Sequence, residues 1–374
     1  MKLINLDWPL IAVALLPWGS LAAAALFTPR LTRPDLFFAV TVSPSFRQSP
    51  AGREILRRYD RCVLLVALLA LFLVGFAGNG SQPLLLVGLL GPTMLELAGW
   101  FAAFIAARGQ AKPYHVEPSL IREAALQPRD VSLPGGWLAQ AGPFLVLAVI
   151  FLCLSLGWNT IPSRIPIHWG LNGKPDGWAA KSLASVFGCA GIGLLVCSFL
   201  SMFWCAVLRN VRRIHGDGVQ ALREARFLRV FSFFMLAIEY WLAVLMGLLS
   251  LAVLRSNLAA PLPGLWFILP VETLLIATIF FLAYRAGQGG WRWGASAERA
   301  APDSAPVGDR TRDECWKLGL FYVNREDPAL FVEKRFGIGW TINFGNPRAL
   351  YVLAGFILFI AAIVSIGVLT TVKK

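Results

Sequence analysis

The sequence predicts an all-α polytopic membrane protein with about eight transmembrane helices and a small cytoplasmic β-hairpin module. Three observations carry that prediction. The 374 residues are 57% hydrophobic and only 15% charged, with mean hydropathy +0.64, far too apolar for a soluble domain of this length. The apolar residues are gathered into long runs, as membrane spans of about 20 residues require. Lys and Arg are concentrated in alternate connections between those runs.

Eight runs qualify: residues 8–27, 62–77, 83–107, 141–158, 183–208, 227–254, 264–284 and 349–370. The second is the shortest. With the amino terminus outside, the connections after runs 1, 3, 5 and 7 are cytoplasmic and carry 7, 4, 6 and 10 basic residues, against seven on the other face. Both termini are therefore expected to be extracytoplasmic, with Lys373 and Lys374 the charges on the less favoured side. A cleaved signal peptide is a weaker reading of the start, where Lys2 precedes an apolar stretch ending in four alanines. Cleavage there would export Arg30, Arg33, Arg47, Arg53, Arg57, Arg58 and Arg61, a strong retention signal. The net charge of +13 would suggest nucleic acid in a soluble protein. Here loop sorting accounts for it, so the expected partner is the lipid bilayer and not nucleic acid.

The chain divides into an N-terminal membrane region (1–140), a membrane core (141–284) with an outward loop at 158–182, a flexible linker (285–314), a small cytoplasmic module (315–348), and a last span with its tail (349–374). Residues 50–61 read as a basic helix feeding the second span, with Arg53, Arg57 and Arg61 at spacing four. A short helix is expected at 119–126. A helical hairpin is expected around Gly216, Asp217 and Gly218. In the cytoplasmic module, 330–334 and 340–344 read as two strands joined by a Gly-rich turn, after the Asp327-Pro328 turn signal. Such a small module cannot bury its own core, so it is expected to pack on the cytoplasmic helix ends. The six cysteines form no CxxC pair, which argues against a zinc or iron–sulfur site and against a disulfide framework.

One outward segment is rich in special residues, WNTIPSRIPIHWGLNGKPDGWAAK at 158–181. Its prolines enforce extended backbone, Asn172-Gly173 is a tight-turn pair, and its tryptophans suit a membrane interface. It resembles the signature of the Sdp-type immunity-protein family through Ile165, Pro166, His168, Trp169, Gly173, Asp176, Trp178 and Lys181, with Ile161-Pro162 upstream. The segment FYVNREDPALFVEKRFGIGWTINFGNP is similar to a second uncharacterised domain often appended to such proteins. The resemblance implies a bacterial inner-membrane protein, in one branch conferring immunity to a peptide toxin and sequestering a repressor. A peptide ligand and a cytoplasmic regulator are the partners it implies. The chain departs from that branch at Gly170, where an Asn commonly stands, in its number of spans, and in its extra cytoplasmic module.

Chemistry was weighed against packing. His168 with Asp176 falls short of a three-ligand metal site, so loop scaffolding is the favoured role, with Lys181 capping the approach to the fifth span. Three carboxylates interrupt apolar runs, Glu96, Glu239 and Glu272. Each is expected to be protonated, partnered or turned to the bundle interior, as a packing group or as part of a proton- or cation-linked cavity. Pro92 and Pro270 lie close upstream of two of them. The sequence has no P-loop, dinucleotide fingerprint, HExxH or G-x-S-x-G. No cofactor and no catalytic residue is expected, and a binding role is favoured over an enzyme.

Overall fold

A computed structural model describes residues 8–77, 82–120, 133–169, 174–211, 219–255, 257–259, 265–293 and 308–371. Eight long helices run through them: α1 Trp8–Leu31, α2 Pro50–Ala77, α3 Gln82–Ala111, α4 Gly136–Leu156, α5 Leu183–Asn210, α6 Val219–Leu251, α7 Leu265–Ala286 and α8 Ala349–Thr371. Every apolar run of the sequence lies mainly within one of them. Six helical stretches are long and apolar enough to cross a membrane: Leu90–Tyr114, Gly136–Leu156, Leu183–Asn210, Ala221–Leu254, Pro270–Gly290 and Ala349–Thr370. Among the described residues, length and composition thus support six of the eight expected spans. The apolar part of α2 is limited to 62–77, which at about 1.5 Å per residue reaches roughly 24 Å, short of the roughly 30 Å hydrocarbon layer. The α8 surface fits lipid, with Leu350, Tyr351, Ile357 and Leu358 all exposed.

The chain forms two compact units, residues 1–126, 211–224 and 273–346, and residues 127–210, 225–272 and 347–374. In the first, α2 packs along α3 and α1 lies against both. The connection after α1 folds into a tight hairpin, β1 (Leu36–Phe37) with β2 (Val40–Thr41). Its turn residues Phe38 and Ala39 take positive φ of 46° and 61°, a conformation costly for residues other than glycine. Surrounding contacts hold it there. The Phe38 ring stacks on Phe336 and packs on Tyr59, while the buried Arg108 donates to the Phe38 and Ala39 carbonyls at 3.3 and 2.6 Å. The expected basic helix at 50–61 is the first part of α2, where Glu54 pairs with Arg57 and Arg58.

The module at 315–348 also belongs to the first unit. Strands β5 (Trp316–Lys317) and β6 (Phe321–Tyr322) form one hairpin, β7 (Phe331–Glu333) and β8 (Trp340–Ile342) the expected second, paired Phe331↔Ile342. It buries Trp316, Tyr322 and Val332 together and inserts Phe336 against Phe104 of α3, ring centroids 4.5 Å apart. The ends of the segment read as a flexible linker are packed instead. Gln288 is buried and accepts from the Arg33 N–H at 3.2 Å, and Asp309, Arg310 and Thr311 are buried beside Arg335. The expected short helix at 119–126 and the turn at 216–218 lie largely outside the described residues.

In the second unit, α4, α5 and α6 bury Leu147, Cys197 and Ala243 between them, and α5 packs on α8. Phe199 stacks on Phe359 at 4.1 Å. Gly188 permits that approach, because a β-carbon there would lie 2.7 Å from the Thr370 methyl. The loop at 158–182 holds the remaining hairpin, β3 (Arg164–Trp169) with β4 (Pro175–Ala180).

Candidate functional site

The β3–β4 hairpin follows from its residue types. Pro166 and Pro175 prohibit helix and need no ladder N–H at the positions they occupy. The register runs Arg164↔Ala180, Ile165↔Ala179, Pro166↔Trp178, His168↔Gly177 and Trp169↔Pro175, with irregularities that leave Ile167 and Asp176 unmatched. A residue inserted into a strand re-aims its side chain. Asp176, adjacent in sequence to the partner of His168, is thereby brought to the same face, and its Oδ1 contacts His168 Nδ1. Gly177 is required opposite His168, since a β-carbon would come within 2.8 Å of the histidine Cβ. This glycine is not among the motif residues. A lone Gly inside a strand pattern was the available signal.

The base of the hairpin is anchored and its outer face is open. Ile161 and Ile165 are buried with Ile150, Leu154, Val186 and Val253 at one end of the bundle. Lys181 does not cap α5. Its ammonium donates back to the carbonyls of Trp158 and Ile161 at 2.6 and 3.0 Å and lies 4.7 Å from the Trp158 ring centroid. The cap of α5 is Ser182, whose Oγ accepts from the Ser185 N–H while Ser185 Oγ accepts from the Ser182 N–H. His168, Asp176 and Trp178 are exposed and Trp169 half-buried, whereas Pro166 is buried. Gly173 lies outside the described residues. With Nδ1 held by a carboxylate, the imidazole is oriented so that Nε2 is free to meet a ligand. An exposed ion pair of this kind contributes little stability, so orientation is its main physical effect.

The three carboxylates have different surroundings. Glu96 is 5% exposed in the first unit, beside a small apolar cavity lined by Leu21, Ala25, Val63, Val66 and Trp100, and among the described residues its Oε2 has no hydrogen-bond partner. Glu239, in the second unit, is buried and accepts from Ser201 Oγ at 2.8 Å. Glu272 is only half-buried.

A second constellation escaped the sequence reading. Arg335 is fully buried, with Nη2 donating to Asp309 at 2.8 Å and to the Thr311 carbonyl at 2.6 Å, while Nη1 meets Asp313. Burial opposes its charge, but Asp309 first and then Asp313 raise its pKa above the ordinary guanidinium value. Asp313 also accepts from Thr41 Oγ1 at 2.7 Å, tying the β1–β2 hairpin to the module. Nearby, Arg33 pairs with Asp35 at 2.9 Å. Arg47 donates to the Thr32, Arg33 and Leu36 carbonyls, and burial, then Arg292, lower its pKa to about 10. These contacts hold loop backbone in place, as buried arginines with rigid forked donors do.

Two family models match parts of the chain. A domain of unknown function (DUF1648) matches residues 144–194, which hold the β3–β4 hairpin and its flanking helices. A family of unknown function (DUF5808) matches residues 325–350, which hold β7, β8 and Arg335. No curated protein and no solved structure matches. The chain is therefore similar, over its hairpin and its module, to two uncharacterised domains.

Proposed function

We propose that this is a bacterial inner-membrane protein that acts by binding, without catalysis, through the exposed face of the β3–β4 hairpin, in the manner of the Sdp-type immunity proteins its motif resembles. The observation that carries this reading is the combination of a rigidly anchored base with an exposed His168, Asp176 and Trp178 face. A preorganised aromatic surface with one oriented imidazole suits a peptide, because rigid aromatics add contact area at little entropic cost. In this reading α1 and α2 also cross the bilayer, with Arg61 and the basic turns before it reaching the head groups to make up for the short apolar length of α2, giving eight spans with both termini outside. The cytoplasmic module anchors the assembly or meets a regulator. Reporter tags inserted at Gly173 and at Ser304 are expected in opposite compartments. If both tags report one compartment, the arrangement is wrong.

Cells expressing the chain are expected to survive challenge with a membrane-active peptide toxin better than cells without it. The H168A/D176A double variant should lose that protection, while E96Q, E239Q and E272Q keep it. Protection that persists in the double variant, or that the parent chain never gives, would rule out the binding face. One observation favours a second reading, a proton- or cation-linked transporter. Glu96 keeps a buried oxygen without a partner, and such groups inside membranes mark ion pathways. In proteoliposomes, proton flux present in the parent and lost in E96Q would support transport over binding.

A further inference from the structure

Within the first unit, α3 and the turns of the β5–β6 and β7–β8 hairpins surround a pocket of about 470 Å³. That volume is in the range of small-molecule sites, about 300–1,000 Å³. Its walls are chiefly apolar, with Leu97, Trp100, Phe101 and Phe104 from α3 facing Phe336 and Ile338. Leu97 and Phe101 remain 41% and 43% exposed, and both lie in the membrane-crossing stretch Leu90–Tyr114. They occupy its last apolar turns before Arg108. The pocket therefore joins the lipid-facing surface of α3 to the polar module.

Two cationic residues line the pocket, Lys334 and Arg335. Arg335 is neutralised by Asp309 and Asp313. Lys334 is different: among the described residues no acidic or hydrogen-bonding group meets its ammonium. Its side chain reaches solvent, yet the protein around it desolvates the ammonium enough to lower its pKa. An anion beside it would relieve that penalty. The pocket thus offers a chiefly apolar wall beside the membrane-crossing stretch of α3 and, at its polar side, a lysine without an acidic partner among the described residues. A peptide would bring backbone N–H and C=O groups against walls with few polar partners, at a cost for each group left unpaired. An acyl chain brings none.

We propose that this pocket holds an acyl chain of one anionic phospholipid from the adjacent leaflet, with the lipid phosphate at Lys334. The site needs neither the outward hairpin nor the membrane carboxylates, so it stands or falls independently of the proposed function. The test uses the full chain in nanodiscs of phosphatidylcholine mixed with phosphatidylglycerol, followed by native mass spectrometry of the released complex. One phosphatidylglycerol is expected to remain per chain, in preference to phosphatidylcholine. A lysine near an anionic surface is worth about fivefold in binding, so K334Q should lower retention by about that factor and K334E by more. K334R should retain the lipid, and L97W, which fills the apolar wall, should lose it. Module folding in each variant is checked by hydrogen exchange of residues 316–342. Equal retention of the two lipids would overturn the proposal, as would undiminished binding by folded K334E or L97W. Displacement of the lipid by excess inorganic phosphate would do the same, marking a free-phosphate site.

Discussion

Replacing Arg335 with methionine is expected to open the module formed by β5 to β8. The guanidinium is fully buried and compensates Asp309, itself 3% exposed, and the partly buried Asp313. Removing one partner of a buried ion network leaves the others charged in a poor solvent, a loss of about 3–5 kcal/mol. Amide exchange across β5 to β8 should accelerate by about two to three orders of magnitude or more, at 1.4 kcal/mol per factor of ten. Restoring neutrality in the triple variant R335M/D309N/D313N should recover part of that loss, because the unpaired charges are then gone. Exchange of R335M within tenfold of the parent would mean that the network contributes little to the module.

The second large effect is expected at Asn343. This side chain is completely buried and every capacity it has is used. Nδ2 donates to the carbonyls of Asn324, Asp327 and Ala329 at 2.8, 3.0 and 3.2 Å, and Oδ1 accepts from the N–H groups of Asn324 and Gly345, each at 3.0 Å. Asn343→Asp keeps the shape and the acceptor but faces three carbonyl oxygens with a carboxylate. At roughly 1–3 kcal/mol for each buried group left unsatisfied, N343D should cost about 3 kcal/mol or more. N346D, whose donation to the Pro328 carbonyl lies near the surface, should cost less, about 1 kcal/mol. Protease protection of the module in detergent would rank the two. N343D no more labile than N346D would contradict the hub.

Both effects lie in a segment whose outline was readable and whose chemistry was not. The β7–β8 hairpin was predicted because 330–334 and 340–344 flank a Gly-rich turn, a local pattern. Arg335 lies between them, and no local pattern marks it as buried. Its partners are 22 and 26 residues upstream, and the carbonyls bound by Arg108 are 69 and 70 residues away. No periodicity links residues so far apart. The β1–β2 hairpin was missed for a related reason. Its turn uses Phe38 and Ala39 at positive φ, where the usual signal is Asn-Gly, and only the packing of Phe336, Tyr59 and Arg108 around it makes that turn affordable.

The β3–β4 hairpin illustrates the same division. That it is ordered and extended followed from its prolines, and that His168 and Asp176 belong together followed from the motif. Whether they would touch, and on which face, depended on strand register. One unmatched residue on each strand decides it, and sequence spacing does not encode a bulge. Lys181 points back to Trp158 and Ile161 instead of forward to α5, because two convergent carbonyls and an aromatic ring outbid a cap that Ser182 already provides.

By itself the sequence determined the solvent of this protein, the positions of its long helices and the sites of its two recognisable motifs. Those depend on hydrophobic run length and on residues near one another in the chain, which any single stretch displays. The tertiary structure alone decided which charges are buried and paired, which carboxylate stays unpartnered and which lysine lines an apolar pocket. Burial and pairing are properties of surfaces brought together from distant segments, and their energies exist only once those surfaces meet.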